Sequence, residues 1–110
     1  MAGWFELRKS TDGQYRFVLK AENEETILTS ELYKGKSAAE NGIASVQANC
    51  ADDFRYERKV AANGKAFFNL KAANHMVIGT SQMYATEASR ESGITSVKAA
   101  GTSKTVKDSI

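Results

Sequence analysis

The stretch that decides the fold occurs twice: residues 13–33 read GQYRFVLKAENEETILTSELY, and residues 64–84 read GKAFFNLKAANHMVIGTSQMY. Around it, residues 5–50 align with residues 56–101 without a gap, at a spacing of about 51 residues. About seventeen aligned positions are identical, among them Phe17 and Phe68. Self-similarity at a fixed spacing indicates a duplicated unit, so we predict two repeats of one supersecondary structure.

Length and composition are those of one small globular protein. The 110 residues suffice to bury a core without staples, so we expect a single domain over 1–110 with repeats at about 3–53 and 54–108. The formal net charge of +2 is too small to argue by itself for a polyanionic partner. A lone cysteine, Cys50, excludes an internal disulfide. With no targeting segment or membrane-length apolar run, the sequence predicts a cytoplasmic protein without a membrane partner.

Alternating apolar residues predict two strands at the start of each repeat, joined by a tight turn. In the first repeat, a two-residue turn would put Phe17 on the wrong face of the sheet. A three-residue turn sets Leu7 opposite Phe17 and Phe5 opposite Leu19. It also puts Gly13 in the left-handed position of a bulge. We therefore predict the three-residue turn.

A third strand and a helix complete each repeat. The strand is predicted over Thr26–Glu31, with Ile27 and Thr29 on one face. Ser37 reads as the N-cap of a capping box, although Thr86 in the second repeat offers an earlier start. The apolar stripe of the first helix has the 3.6-residue period of a helix packed on a sheet. Its members are Ala39, Ile43, Val46 and Cys50.

Both helices carry a glycine at the same middle position, Gly42 and Gly93. Glycine in a helix interior costs about 0.5–1 kcal/mol relative to alanine. Its presence in both repeats therefore indicates a close approach between helix and sheet. We expect the rings of Tyr33 and Tyr84 to be the neighbours.

The repeated residues resemble the YegP-like family, small bacterial proteins of uncharacterised function with one or two such units. The resemblance covers nearly the whole chain. It rests on three motifs: GQYRFVLKA at 13–21, TSELY at 29–33 and NGIASV at 41–46. The second repeat departs from the family pattern at a few positions, which weakens any case for the same site in both repeats. These positions are Ala66, Asn69, Ser92 and the turn Asn74-His75, which lacks the family's usual glycine.

The resemblance implies an α+β architecture. Three strands and a helix per repeat, then a strand exchanged between repeats, would make one antiparallel sheet with both helices on one face and pseudo-two-fold symmetry. Single-repeat relatives would reach this structure by dimerising, so this chain is expected to be a monomer with an internal pseudo-dimer. The family brings no activity, and we expect no cofactor.

The sequence gives little support for catalysis. His75 reads as a surface turn residue, and neither metal-ligand spacing nor a Cys-His arrangement is present. Glu6 and Glu57 recur beside Lys20 and Lys71, which could set an acid near an amine. Cross-strand charge pairs on a solvated face are the simpler interpretation. We therefore expect a non-enzymatic binding or structural module.

The face opposite the predicted helices, here called the open face, holds the candidate binding residues. Basic side chains interleaved with aromatic rings are typical of proteins that bind single-stranded nucleic acid. The candidates are Trp4, Arg16, Lys20, Lys59, Phe67 and Lys71. Glu6 and Glu57 dilute the charge. Two alternatives stay open: a protein- or peptide-binding module that uses a sheet edge, and an enzyme or metabolite binder at the seam between the repeats.

Overall fold

The computed structural model describes residues 3–108, which form two α-helices and seven strands. In chain order they are β1 (Trp4–Lys9), β2 (Tyr15–Lys20), β3 (Thr26–Ser30), α1 (Lys36–Asn49), β4 (Tyr56–Val60), β5 (Ala66–Lys71), β6 (Val77–Thr80), α2 (Glu87–Ala100) and β7 (Val106–Asp108). A short 3₁₀ turn, Asp53–Arg55, precedes β4. The strands form one sheet in the order β4-β5-β6-β3-β2-β1-β7. The fold is therefore α+β, as predicted.

The two repeats meet in the middle of the sheet. There β3 and β6 run antiparallel, with Thr29 opposite its equivalent, Thr80. A pseudo-two-fold axis therefore passes between these residues. Both helices pack on one face, and a single core joins their buried residues to those of the sheet. Its largest fully buried side chains include Phe5, Phe17 and Phe68.

The sheet is mixed, so the expectation of a wholly antiparallel sheet was wrong at one edge. β7 pairs with β1 in parallel, with Val106 opposite Phe5. The reason lies in the repeat plan: β4 both ends the first repeat and pairs with β5 in the second. At the other edge, β1 already holds the equivalent place beside β2. β7 arrives there in the same direction as β1 and can only add outside it.

The predicted three-residue turn between β1 and β2 is confirmed. Leu7 lies opposite Phe17, and Phe5 lies opposite Leu19. Gly13 has a φ of 85°, in the left-handed region that the bulge requires. The register of the first hairpin is thus the one that the apolar phase demands.

The predicted face of β3 was wrong in part. The register with β2 shifts between Leu19 and Lys20, which is the mark of a bulge. Because of this shift, Thr29 lies opposite Val18 on the open face, whereas Ile27 joins the core on the helix side. An alternating pattern alone does not reveal such an extra residue.

The capping box at Ser37 was also wrong. The first helix begins at Lys36 with Gly35 as its N-cap, and no side chain caps it. In the second helix the equivalent N-cap is Thr86, whose hydroxyl accepts a hydrogen bond from the Ser89 N–H at 3.0 Å. Only the second repeat has a side chain at this position that can accept the bond.

The close approach predicted at the helix glycines is confirmed. A Cβ on Gly42 would lie 2.5 Å from Tyr33 Oη, and one on Gly93 would lie closer still to Tyr84 Oη. The predicted helix stripe, which includes Cys50, is buried as well. Each helix thus sits directly on a tyrosine of its own repeat.

Equivalent residues also meet near the pseudo-two-fold axis, and there one of each pair is glycine. A Cβ on Gly79 would lie 3.0 Å from Cγ of Leu28, its equivalent in the first repeat. A Cβ on Gly101 would lie 2.8 Å from Sγ of Cys50, its equivalent at the end of the first helix. Each glycine leaves the space that its larger counterpart fills.

Candidate functional site

The open face is organised around a row that crosses six strands. The strand registers place its members side by side, in the order Glu6, Val18, Thr29, Thr80, Asn69 and Glu57. Neighbouring strands lie about 4.8 Å apart, so the backbones of Glu6 and Glu57 are about 24 Å apart. Lys107 on β7 lies beside Glu6, outside these six strands. The centre of the face is therefore neutral, and the charges lie around it.

The six predicted residues all lie on this face, in the rows that flank the central one. Trp4 is opposite Lys20 at one end of a row, and Phe67 is opposite Lys59 at its other end. The structure thus brings each ring together with a lysine, in two pairs that stand apart. Arg16 lies in the opposite flanking row.

Trp4 is held by neighbours from β1 and β7. Its indole Nε1 donates to Glu6 Oε2 at 2.9 Å, and Arg8 Nη2 donates to Glu6 Oε1 at 2.8 Å. These hydrogen bonds, that of Trp4 first, hold the pKa of Glu6 below its usual value. The ammonium of Lys107 lies 4.2 Å from the centre of the indole ring. Sequence reasoning missed Lys107, because the position of its strand beside β1 was not predicted.

The predicted cross-strand charge pair forms only in the second repeat. Lys71 Nζ lies 3.2 Å from Glu57 Oε2, and Asn69 Nδ2 donates to Glu57 Oε1 at 3.1 Å. Hydrogen bonds from Asn69 and then Lys71 lower the pKa of Glu57. In the first repeat, Lys20 donates instead to the carbonyl of Glu24 at 3.3 Å. Lys20 therefore forms no close ion pair with Glu6 as Lys71 does with Glu57, although the Lys20 charge is the last of the causes that lower the pKa of Glu6.

Charge on the open face is one-sided. Its strands present six cations, namely Arg8, Arg16, Lys20, Lys59, Lys71 and Lys107. Against them stand the two carboxylates Glu6 and Glu57. The excess of four positive charges is twice the formal net charge of +2 for the whole chain. The remainder of the molecule is consequently acidic on balance.

Two grooves lie at the seam between the repeats, on the helix side of the sheet. The larger, here called groove A, has a volume of about 650 Å³ and is lined by Tyr33, Met76 and Ile78, among others. Its pseudo-symmetric equivalent, groove B, measures about 180 Å³ and includes Tyr84. His75 stands in an exposed turn at the edge of groove A, with a φ of 70°.

Other reactive groups are isolated in the part of the chain that the structure describes. Within residues 3–108, no three His, Cys, Asp or Glu side chains come together as a metal site would require. Cys50 is fully buried, and this burial raises the pKa of its thiol. Neither helix is long and apolar enough to cross a membrane, among the residues described.

These features define a class of protein: two β-β-β-α repeats in one chain, sharing a single sheet, with a basic open face. The chain belongs to the family described as "Domain of unknown function (DUF1508)", whose model matches residues 10–57 and 61–108. The resemblance to YegP-like proteins is thereby confirmed, as is the tandem repeat.

Similar proteins share both the sequence and the fold. The UPF0339 protein YegP of Escherichia coli (strain K12) is 70% identical over 108 residues, which are 98% of each chain. A solution NMR structure of yegP from E. coli, a protein of unknown function, matches with a TM-score of 0.95 over 99% of this chain and 94% of that chain. The solution NMR structure of a UPF0339 protein from Shewanella oneidensis, 59% identical, matches with a TM-score of 0.93 over 98% and 92%. The family is uncharacterised in function.

Proposed function

We propose that the protein is a non-enzymatic binding module whose open face takes single-stranded nucleic acid. The observation that carries the proposal is the excess of four positive charges on a face that also presents Trp4 and Phe67. Cations around stacking rings are the combination that binds phosphates and bases without sequence preference. The uncharged centre of the open face leaves room for a strand to cross the sheet.

The residues divide into two roles. Arg16, Lys20 and Lys59 would meet phosphates, with Lys71 contributing where its pair with Glu57 opens. Trp4 and Phe67 would stack on bases, and four strand spacings set them about 19 Å apart. A nucleic acid that runs across the strands would therefore meet both rings, whereas one that runs along a single strand would meet one.

The test is fluorescence anisotropy with labelled RNA and DNA oligomers, at low salt and again near physiological salt. Each phosphate contact contributes about −0.7 to the log-log slope of affinity against salt. Replacing Trp4 or Phe67 with alanine should lose about 1–3 kcal/mol of affinity with little change in that slope. Indole fluorescence provides a second signal, because a base stacked on Trp4 quenches it.

Charge variants separate a site from general attraction to a basic protein. The variant Lys20→Gln/Lys71→Gln should weaken binding and reduce the salt slope. As a control of equal charge, Lys34→Gln/Lys104→Gln changes exposed lysines outside the strands and should leave both unchanged. The proposal fails if no binding is seen at low salt, or if both variants weaken it equally.

We also propose that the protein acts in the cytoplasm as a monomer with an internal pseudo-dimer. The lone buried cysteine suits a reducing compartment. Each helix contacts strands of both repeats, since α1 reaches β6 and α2 reaches β3. This mutual contact supports a single domain with repeats at about 3–53 and 54–108.

A further inference from the structure

The two seam grooves offer an internal comparison. Residues equivalent in the duplicated sequence line both: Tyr33 corresponds to Tyr84, and Ser45 corresponds to Ser96. The helix glycine beside each tyrosine is also retained. Groove A is one cavity of about 650 Å³, whereas the corresponding space beside α2 is divided between groove B, of about 180 Å³, and an adjoining cavity of about 340 Å³ that shares Ala21, Asn23 and Ser96 with it. The side chains at the two mouths also differ.

A nitrogen donor bridges the mouth of groove B. Gln82 Nε2 lies 3.4 Å from Glu25 Oε1 and 3.5 Å from Tyr84 Oη. This amide joins the end of one repeat's strand to the turn of the other. The mouth of groove B is thus spanned by an N–H group held between a carboxylate and a tyrosine oxygen.

Groove A lacks this bridge because two equivalent positions hold other residues. Glu31 stands in place of Gln82, and Met76 stands in place of Glu25. Within residues 3–108, the structure gives the Tyr33 hydroxyl no hydrogen-bond partner. Burial first, and then the charge of Glu31, raise the pKa of Tyr33, so the phenol stays protonated at neutral pH.

Apolar side chains border the same opening. Met76 is 66% exposed and Leu32 is 44% exposed, and both line groove A. Ile78 adds apolar surface beside them. Exposed methionine beside an aromatic ring is an adaptable contact for apolar ligands. Groove A therefore combines a carboxylate and a phenol oxygen with an apolar wall.

We propose that groove A binds a small amine with an apolar body, of the arylalkylammonium class. The ammonium lies between the Glu31 carboxylate and Tyr33 Oη and donates to both. The body packs on Met76 and Leu32. Groove A lies on the helix side, so this inference does not depend on nucleic-acid binding at the open face.

The first experiment is an NMR titration of the full chain with 2-phenylethylammonium. Saturable shifts are expected at the backbone amides of Leu32, Tyr33 and Met76, with residues of the open face unchanged. The neutral isostere 2-phenylethanol should bind at least ten-fold more weakly, because it lacks the charge that pairs with Glu31. The absence of saturable shifts, or equal affinity for the two compounds, overturns the proposal.

Variants that exchange the bridge between repeats provide the second experiment. Glu31→Gln/Met76→Glu installs the groove B pair in groove A and should abolish the amine shifts. The control Glu40→Gln removes an exposed carboxylate of α1 outside the groove and should bind like the unmodified chain. Unchanged spectra in the open-face strands verify that both variants fold. Binding by the double variant at unmodified affinity contradicts the proposal.

Discussion

Near the two edges of the sheet, equivalent positions of the two repeats hold apolar residues on one side and charged residues on the other. In the first repeat, Leu7 and Ala39 occupy the space between strand and helix, and both are buried. In the second repeat the same positions hold Arg58 and Arg90. Arg58 pairs with Glu91 at 2.9 Å and also with Asp53. An apolar contact on one side is an ion-pair network on the other.

The difference follows from what covers each edge. β7 lies outside β1, so a leucine there is shielded from water. In the part of the chain that the structure describes, β4 is the last strand on its side. An outer strand offers unpaired backbone groups to other chains, and inward-pointing charge is a known protection against such pairing. The two repeats therefore hold different residues where their surroundings differ, and similar residues where their surroundings are the same.

The largest expected effect concerns a buried position that has the same residue in both repeats. Replacing Phe17 or Phe68 with alanine should each cost about 3–5 kcal/mol of unfolding free energy. Both rings are fully buried, and each stacks on a tyrosine of its own repeat. The ring centres of Phe17 and Tyr33 are 6.3 Å apart, and those of Phe68 and Tyr84 are 6.4 Å apart. Urea unfolding measures the cost. Phe67→Ala, on the open face, is the control, and a larger loss there than at Phe68 would mean that the two faces of β5 are reversed.

The next effect separates the two sides. Leu7→Ala should cost about 2–5 kcal/mol, because it leaves a cavity. Arg58→Ala should cost about 1 kcal/mol or less, because its side chain is partly exposed to solvent. Equal losses in urea unfolding would contradict the comparison. Arg58→Leu should also promote association through β4, which would appear as concentration-dependent elution in size-exclusion chromatography.

A smaller gain is expected at a turn that both repeats share. Glu24 and His75 are equivalent, and both have a left-handed φ, 71° and 70°. A left-handed backbone conformation costs about 1–2 kcal/mol for a residue with a Cβ, and glycine avoids this cost. Part of the gain is offset because glycine loses more conformational entropy on folding. Glu24→Gly and His75→Gly should each raise stability by up to about 1 kcal/mol in thermal melts. Asn23→Gly, one residue earlier, is the control and should give no gain.

The smallest effect is a difference in acid sensitivity. Ion pairs with Arg58 lower the pKa values of Asp53 and Glu91, with Lys98 the first cause at Asp53. Lowered carboxyl pKa values give stability that is present above the unfolded values of 3.8 and 4.5 and is lost as pH falls through the folded ones. The unfolding free energy of the unmodified chain minus that of Arg58→Leu should therefore decrease from pH 6 to pH 3. The same difference for Leu7→Ala should not change with pH.

The alternation of apolar residues along the strands, together with the equivalence of the two repeats, made much of the fold predictable. The hairpin register followed because only one turn length puts both Phe5 and Phe17 on the core side. The helix stripe and the close approach at Gly42 followed from spacing and repetition. Each of these features depends on residues near one another in the sequence.

Features that depend on distant contacts were not predictable. The position of β7 is decided by the edge that β1 already occupies, and Val106–Asp108 is too short to show a pattern. Consequently, Lys107 over Trp4 was missed. The amide bridge at the mouth of groove B depends on Gln82 meeting Glu25 across the seam, a contact that no spacing rule indicates. Six candidate residues on one face followed from alternation, but their grouping into pairs did not.

The glycines beside the pseudo-two-fold axis determine with whom each half can assemble. In a dimer of identical repeats, a residue on the axis meets its own copy. Two first repeats would press Leu28 against Leu28 and Cys50 against Cys50, whereas two second repeats would leave Gly79 and Gly101 facing empty space. Carrying both repeats in one chain allows a large residue to be matched with a small one. Each half has thereby become a good partner for the other and a poor partner for itself.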